Sequence, residues 1–237
     1  EALSLESFSQ IGTYDGGAIA ADTKTELKNL VIPGALLKAD PQVAQVFEAL
    51  GYDRLAIGGS GVQTYDKTLG AFSDQSRIAV ENAGALALYL AFGGLTPERI
   101  KAVLVPVVSA RAGADPEMGA IIAAASGATF NGFSLRFEDA SLTKRLITYA
   151  SKMQNMDEQT MIANAMAMMQ LGMSQLQSPD FAQTAVAALG AFLKQPGSFT
   201  VSFKPKAPVG VREMMSLDPN NPAKALELFG VSVTAND

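Results

Sequence analysis

Histidine, cysteine and tryptophan are absent from the 237 residues, and each absence closes a class of chemistry. Without histidine there is no Ser-His-Asp triad, no imidazole base and no imidazole metal ligand. Without cysteine there is no thiol nucleophile, disulfide, zinc finger or cysteine-held iron–sulfur cluster. Charge is scarce too: 17% of residues carry it, and 18 basic against 23 acidic residues leave a net −5. Attachment to nucleic acid works through clustered Lys and Arg, which the chain lacks, so no nucleic-acid partner is expected. Long apolar runs are also missing. The longest uncharged stretch, Gln159–Pro179, is interrupted by Asn164, Gln170, Gly172, Gln175 and Gln177. A membrane-spanning helix needs about 20 predominantly apolar residues, and this stretch is too polar.

What is present suits a folded chain. Hydrophobic residues make up 48%, which argues against disorder. A chain of this length is expected to bury about 70–75% of its unfolded surface. The sequence begins at Glu1 rather than Met, which tilts the expectation towards an exported, processed protein, periplasmic or anchored to a membrane by residues outside those given.

Local patterning gives an order of elements. Leu3-Ser4-Leu5 alternates, Thr13–Gly17 reads as a turn, and Leu27–Ile32 reads as a strand stopped by Pro33-Gly34. Asp40-Pro41 supplies an N-cap and a first-turn proline for a helix carrying Val43, Val46, Phe47 and Leu50, ended by Gly51. Three short strands follow at 55–57, 62–65 and 77–80, with Gly58-Gly59-Ser60-Gly61 read as a bend or bulge. The clearest strand runs from Gly84 to Phe92, placing Leu86, Leu88, Leu90 and Phe92 on one face and mostly alanine on the other. Such alternation predicts a deep core on one side and a close neighbour on the other. From Thr96-Pro97 the period becomes helical, with a stripe of Ile100, Val103, Leu104 and Val107 kinked at Pro106. Further helices are expected over 118–125, from Leu142, over 157–176 and over 180–194, with strands at 133–137, 199–203 and 231–234. The helix–glycine–strand phrase ending in Gly51 and Leu55-Ala-Ile57 is echoed by Leu226–Gly230 and Val231-Ser-Val233.

The expected fold is therefore α+β: a curved antiparallel sheet, an N-terminal meander, covered by helices. Residues 1–95 are mainly meander with one helix, and 96–237 are mainly helical with short strands packed against the first part as one domain. The later strands either join the sheet or form a small second one.

Most candidates for chemistry have plain structural readings. Ser141-Leu142-Thr143-Lys144 matches the Ser-x-x-Lys spacing of penicillin-binding nucleophiles, but the companion Ser-Asp-Asn and Lys-Thr-Gly motifs are absent. A hydrolase using Ser141 and Lys144 stands as the remote alternative to a helix cap and a solvated lysine. Glu138-Asp139 and Asp157-Glu158 read as acids at helix N-termini. The glycine run lacks the Lys-Ser/Thr of a phosphate loop. Lys204-Pro205-Lys206-Ala207-Pro208 with Arg212 is a small basic loop.

Methionine is the positive signal. Seven of the ten lie at 153, 156, 161, 166, 168, 169 and 173. Met161, Met169 and Met173 are read on one helical face, joined by Ile162, Met166 and Leu176. Thioethers adapt to irregular apolar shapes and can also hold Cu(I), so core packing, the lining of an apolar site and copper are all open. The candidate ligand-binding residues are Met161, Met166, Met169 and Met173, with Leu88, Leu90 and Phe92 on the strand. No catalytic residue, metal ligand or cofactor is assigned.

Three phrases carry a resemblance: Leu50-Gly51-Tyr52-Asp53-Arg54-Leu55; the Gly-Ala-Leu-Ala-Leu-Tyr-Leu strand ending in Gly93-Gly94-Leu95; and Phe137–Leu142 with the closing Leu-Phe-Gly-Val-Ser-Val. In these the chain resembles exported Gram-negative envelope proteins of the AsmA-like type. The resemblance implies a periplasmic or membrane-anchored location and a part in envelope lipid handling. Together these observations predict a non-catalytic extracytoplasmic binding protein for an apolar or amphipathic small molecule or lipid. The alternative is a structural or assembly module that binds another envelope protein.

Overall fold

A computed structural model describes residues 2–14, 16, 19–103 and 118–237. The strands are β1 (Ser4–Thr13), β2 (Asp22–Pro33), β3 (Arg54–Asp66), β4 (Ala71–Val80), β5 (Gly84–Gly93), β6 (Thr129–Asp139), β7 (Ser198–Phe203), β8 (Val209–Gly210) and β9 (Val231–Ala235). The helices are α1 (Gly34–Leu37), α2 (Pro41–Leu50), α3 (97–103), α4 (Met118–Ala125), α5 (Leu142–Met153), α6 (Glu158–Met173), α7 (Pro179–Lys194), α8 (Val211–Met215) and α9 (Pro222–Leu228). All nine strands form one open antiparallel sheet in the order β1-β2-β3-β4-β5-β6-β7-β9, with β8 paired to β6. The fold class is α+β, and the later strands join the first sheet rather than building a second. Two helices, not one, precede residue 95, because a short turn at Gly34–Leu37 follows Pro33. Leu104, Pro106, Val107, Asp15 and Gly17 lie outside the described residues.

Register sorts the side chains. Directly opposed residues of an antiparallel pair share a face. One row therefore runs Phe8–Leu27–Gly59–Ile78–Leu86–Phe137–Phe199. The next on that face carries Leu88, Leu135, Val201 and Val233, and a third carries Leu90, Phe133, Phe203 and Val231. The other face is polar, with Ser60, Arg77, Ala87, Arg136 and Thr200 in a single row.

Helices cover only part of the apolar face. Phe192 of α7 meets the rings of Phe137 and Phe199 at 6.0 and 5.5 Å, and Phe229, just after α9, meets Phe130 and Phe203 at 5.5 and 6.3 Å. Towards β1 the face is open: Phe8 is 60% exposed, Ile78 57% and Leu86 50%. The deep core expected around the leucines of β5 is thus absent at Leu86, and Leu88, Leu90 and Phe92 are half-buried. The small face of β5 lies on the polar side, where Ala85 and Ala91 are buried and Arg77 and Arg136 flank Ala87. The accessible surface is 14520 Å². A compact monomer of this mass exposes roughly 10,000 Å² and its unfolded chain roughly 36,000 Å², so folding buries about 60% rather than 70–75%.

The glycine run does not interrupt the chain. β3 passes straight through Gly58–Gly61, and its pairing with β4 is continuous from Ile57 to Asp66. The irregularity sits in the neighbouring strand, between Leu27 and Leu30, where Asn29 takes a φ of +49°. A bulge on β2 opposite Gly58 replaces the expected bend in β3.

A second set of contacts fastens α2 to α5. Asp40 Oδ1 accepts from the Gln42 and Val43 amides at the start of α2, and Gly51 ends that helix in the left-handed region at φ +70°. Arg145 then donates to the Leu50 and Gly51 carbonyls at 2.5 and 3.0 Å, and its guanidinium carbon stands 4.6 Å from the Tyr52 ring centroid. Leu50, Tyr52 and Ala83 form a small core there with Phe47, Val80, Leu142 and Tyr149.

On the polar face, Arg77 donates to Glu138 at 2.7 Å, and Arg136 reaches both Glu138 at 3.4 Å and Asp237 at 2.6 Å. Glu138 therefore belongs to a strand ion pair, not to a helix terminus. Its neighbour Asp139 does cap α5, accepting from the Thr143 amide at 2.7 Å. The Arg77 hydrogen bond holds the Glu138 carboxyl below its ordinary range, with Arg136 helping. The Thr234 hydroxyl, followed by Arg136, lowers Asp237 from 3.8 to about 2.

Two outcomes follow from these contacts. Replacing Arg145 with Met should lower stability by about 2 kcal/mol, the scale of hydrogen bonds to a charged donor, measured as a shift in the urea midpoint. In acid, the folded chain binds fewer protons at Asp237 than the unfolded chain does. Its contribution is complete above the ordinary value of 3.8 and is lost as pH falls towards about 2. Asp237→Asn should flatten the fall of stability across that window, and an unchanged slope would show that the contact is worth nothing in solution.

Candidate functional site

The methionine-rich segment folds as α6, joined through a 3₁₀ turn at Ser174–Leu176 to α7. Asp157 caps α6, accepting from the Thr160 amide at 2.9 Å and the Thr160 hydroxyl at 2.6 Å, and those bonds hold its carboxyl below the ordinary value. Pro179 occupies the first turn of α7. One stripe of α7, with Ala185 and Phe192 buried, faces the sheet.

Another stripe of α7 faces α6. Ala182, Val186, Ala187, Gly190 and Ala191 recur at the three- and four-residue steps that share a helix face. Opposite them, α6 supplies Met166, Gln170 and Met173. Between the helices lies a groove of about 960 Å³. The two helices approach closely at one place, because a Cβ on Gly190 would meet the Met166 methyl at 3.0 Å. Gly190 is a matter of space here, not of unusual backbone.

The predicted ligand residues separate. Met166 and Met173 line the groove; Met161 and Met169 are half-buried on α6 and do not. Met161 stands twelve residues before Met173, about 120° around a helix of 3.6 residues per turn, so it does not share the face of Met173 that the spacing suggested. Leu88, Leu90 and Phe92 stay on the sheet, where Phe92 packs against Phe72 and Phe130 at 6.5 and 6.1 Å. The groove and the strand leucines are two places, not one. Missed from sequence were the α7 residues, although their regular 3-4 spacing from Pro179 to Lys194 is written in the chain.

Other candidates find other partners. Ser141 hydrogen-bonds the Asn82 carbonyl and accepts from Arg145 Nε at 3.0 Å, while Lys144 is exposed on the first turn of α5. The hydroxyl is thus engaged by Arg145 rather than by the lysine of the Ser-x-x-Lys spacing. Lys206 borders a depression shared with Lys224, Glu213, Asp218 and Glu227, where three acidic side chains outnumber the two lysines. Among the described residues no group of three or more acidic side chains is gathered to hold a metal ion. Nor is any described helix long and apolar enough to cross a membrane.

No curated protein matches the chain. Residues 77–236, from the middle of β4 through β9, match a family described as "Uncharacterized protein". They cover more than half of the sequence, and the chain belongs to that family.

Proposed function

We propose that the protein binds an apolar or amphipathic ligand, a lipid in the leading case, without transforming it, and does so outside the cytoplasm in the bacterial envelope. The groove between α6 and α7 carries this reading. Its volume of about 960 Å³ falls within the range of small-molecule sites, and its walls are mostly apolar. Met166 and Met173 supply soft, adaptable walls, and the alanines of α7 leave the space open. The open stretch of sheet bearing Ile78 and Leu86 adds apolar surface elsewhere on the molecule. The envelope location rests on the phrases in which the sequence resembles exported envelope proteins.

Displacement of a fluorescent acyl probe tests the reading. Ala187 is exposed within the groove, so Ala187→Phe fills the space from the solvent side and leaves the sheet-facing stripe untouched. Probe affinity should fall about tenfold in this variant, near 1.4 kcal/mol, with an unchanged melting temperature. Native mass spectrometry of the gently extracted protein should show co-purifying lipid. Apo protein alone, together with no probe binding, would sink the proposal.

A second reading, assembly with another envelope protein, has its own observation. β1 is a ten-residue edge strand in which Glu6 is the single charge and Leu5, Phe8 and Ile11 are exposed. Long uncharged edges invite strand addition. A photocrosslinker at Phe8 should capture a discrete partner in the native envelope, whereas a strictly monomeric, uncrosslinked species would count against it.

A further inference from the structure

Resting on the groove reading above, we infer that its ligand is a single-chain amphiphile with an anionic head, held with the head at Lys194 and the tail running towards Met173. Three observations support this. The first is length. The groove follows α7 from Pro179 to Lys194, fifteen steps of 1.5 Å, or about 22 Å. An extended carbon chain advances about 1.2 Å per bond, as the extended polypeptide does, so a tail of about 19 carbons fills that distance and a 16-carbon tail fits within it.

The second is charge. The protein has more acidic than basic residues, 23 against 18, yet no acidic side chain lines the groove. Lys194 is its single charged residue and stands at one end. Its ammonium has no ion pair or hydrogen bond among the described residues. The carbonyl end of α7 contributes roughly half a negative charge there, which a full positive charge outweighs. The end is therefore net positive and free to pair with an anion.

The third is what lies between the ends. Val186, Ala187, Gly190 and Ala191 give the middle of the groove an apolar floor without large side chains crossing it, and Met166 lies along it against Gly190. The opposite end, with Ser174, Gln177 and Ser178, is neutral and offers only hydroxyls and amides. An apolar passage with one cation at one end distinguishes ligands by the charge of the head.

Competition against a fluorescent acyl probe on the full chain tests this, using hexadecanoate, hexadecan-1-ol and hexadecyltrimethylammonium below their aggregation concentrations. Hexadecanoate should displace the probe at about fivefold lower concentration than the alcohol, the size of a partly exposed ion pair, with the cationic amphiphile weakest. Lys194→Met should erase the preference for hexadecanoate over the alcohol, and Lys194→Arg should keep it. Lys194 is exposed, so neither variant disturbs the core. Equal displacement by all three, unchanged in Lys194→Met, would overturn the head-group assignment while leaving an apolar binding groove standing. Failure of the probe itself to bind would overturn the binding reading and this inference together.

Discussion

Everything in this molecule rests on the register that keeps one face of the sheet apolar from β1 to β9. In a strand the side-chain period is two, so a slip of one residue would exchange Leu86, Leu88 and Leu90 for Ala87 and Tyr89 along β5. The seats of Phe192 and Phe229 exist because Phe137, Phe199, Phe130 and Phe203 all emerge on the same side. With Phe192 anchored, α7 is oriented, and its outward stripe meets α6 across the groove. The site is thus a second-order product of strand pairing. The sheet contributes no side chain to it, yet determines where it is.

Two arginines tie distant parts of the chain to that framework. Arg145 joins α5 to the end of α2, and Arg136 joins β6 to Asp237 beyond β9. They do different work. Arg145 satisfies carbonyls that a helix end leaves without partners and stacks on Tyr52, so it is partly a packing residue. Arg136 belongs to an exposed ion network on the polar face, where water competes for each partner.

Much of this architecture was legible in the sequence, and the parts that were not share a cause. The Asp40-Pro41 start of α2, the left-handed stop at Gly51, the strand from Gly84 and the helices after residue 157 follow from local signals, and the structure contains them. Local rules read Gly58–Gly61 as a bend or bulge, but two neighbouring strands supply enough hydrogen bonds to carry β3 through it, and the bulge falls on β2. The same rules put the leucines of β5 in a deep core. Alternation shows which residues share a face and says nothing of how far a covering helix extends, and here the cover stops short of Leu86. Met166 and Met173 were found by composition and Met161 was misplaced, because counting methionines does not count degrees around a helix. The small residues of α7 escaped notice since alanine carries no chemistry. Their importance lies in the volume that they leave unfilled.

The position of α7 in the chain also governs the order of assembly. Strands β2 to β5 each pair with their immediate predecessor in sequence, so their contacts close short loops and can form as the chain emerges. α7 is different: it packs on β7 and β9, both made after it. Until residues 198–235 are available, Phe192 has only Phe137 of β6 to meet, and the rest of the seat of α7 on the sheet is missing. The groove is therefore the last feature to acquire its shape, because the strands that complete the sheet, β7 and β9, are the same ones that seat α7. Factors that shield apolar helices during synthesis would act before those strands emerge, and so before the completed protein has any site to occupy.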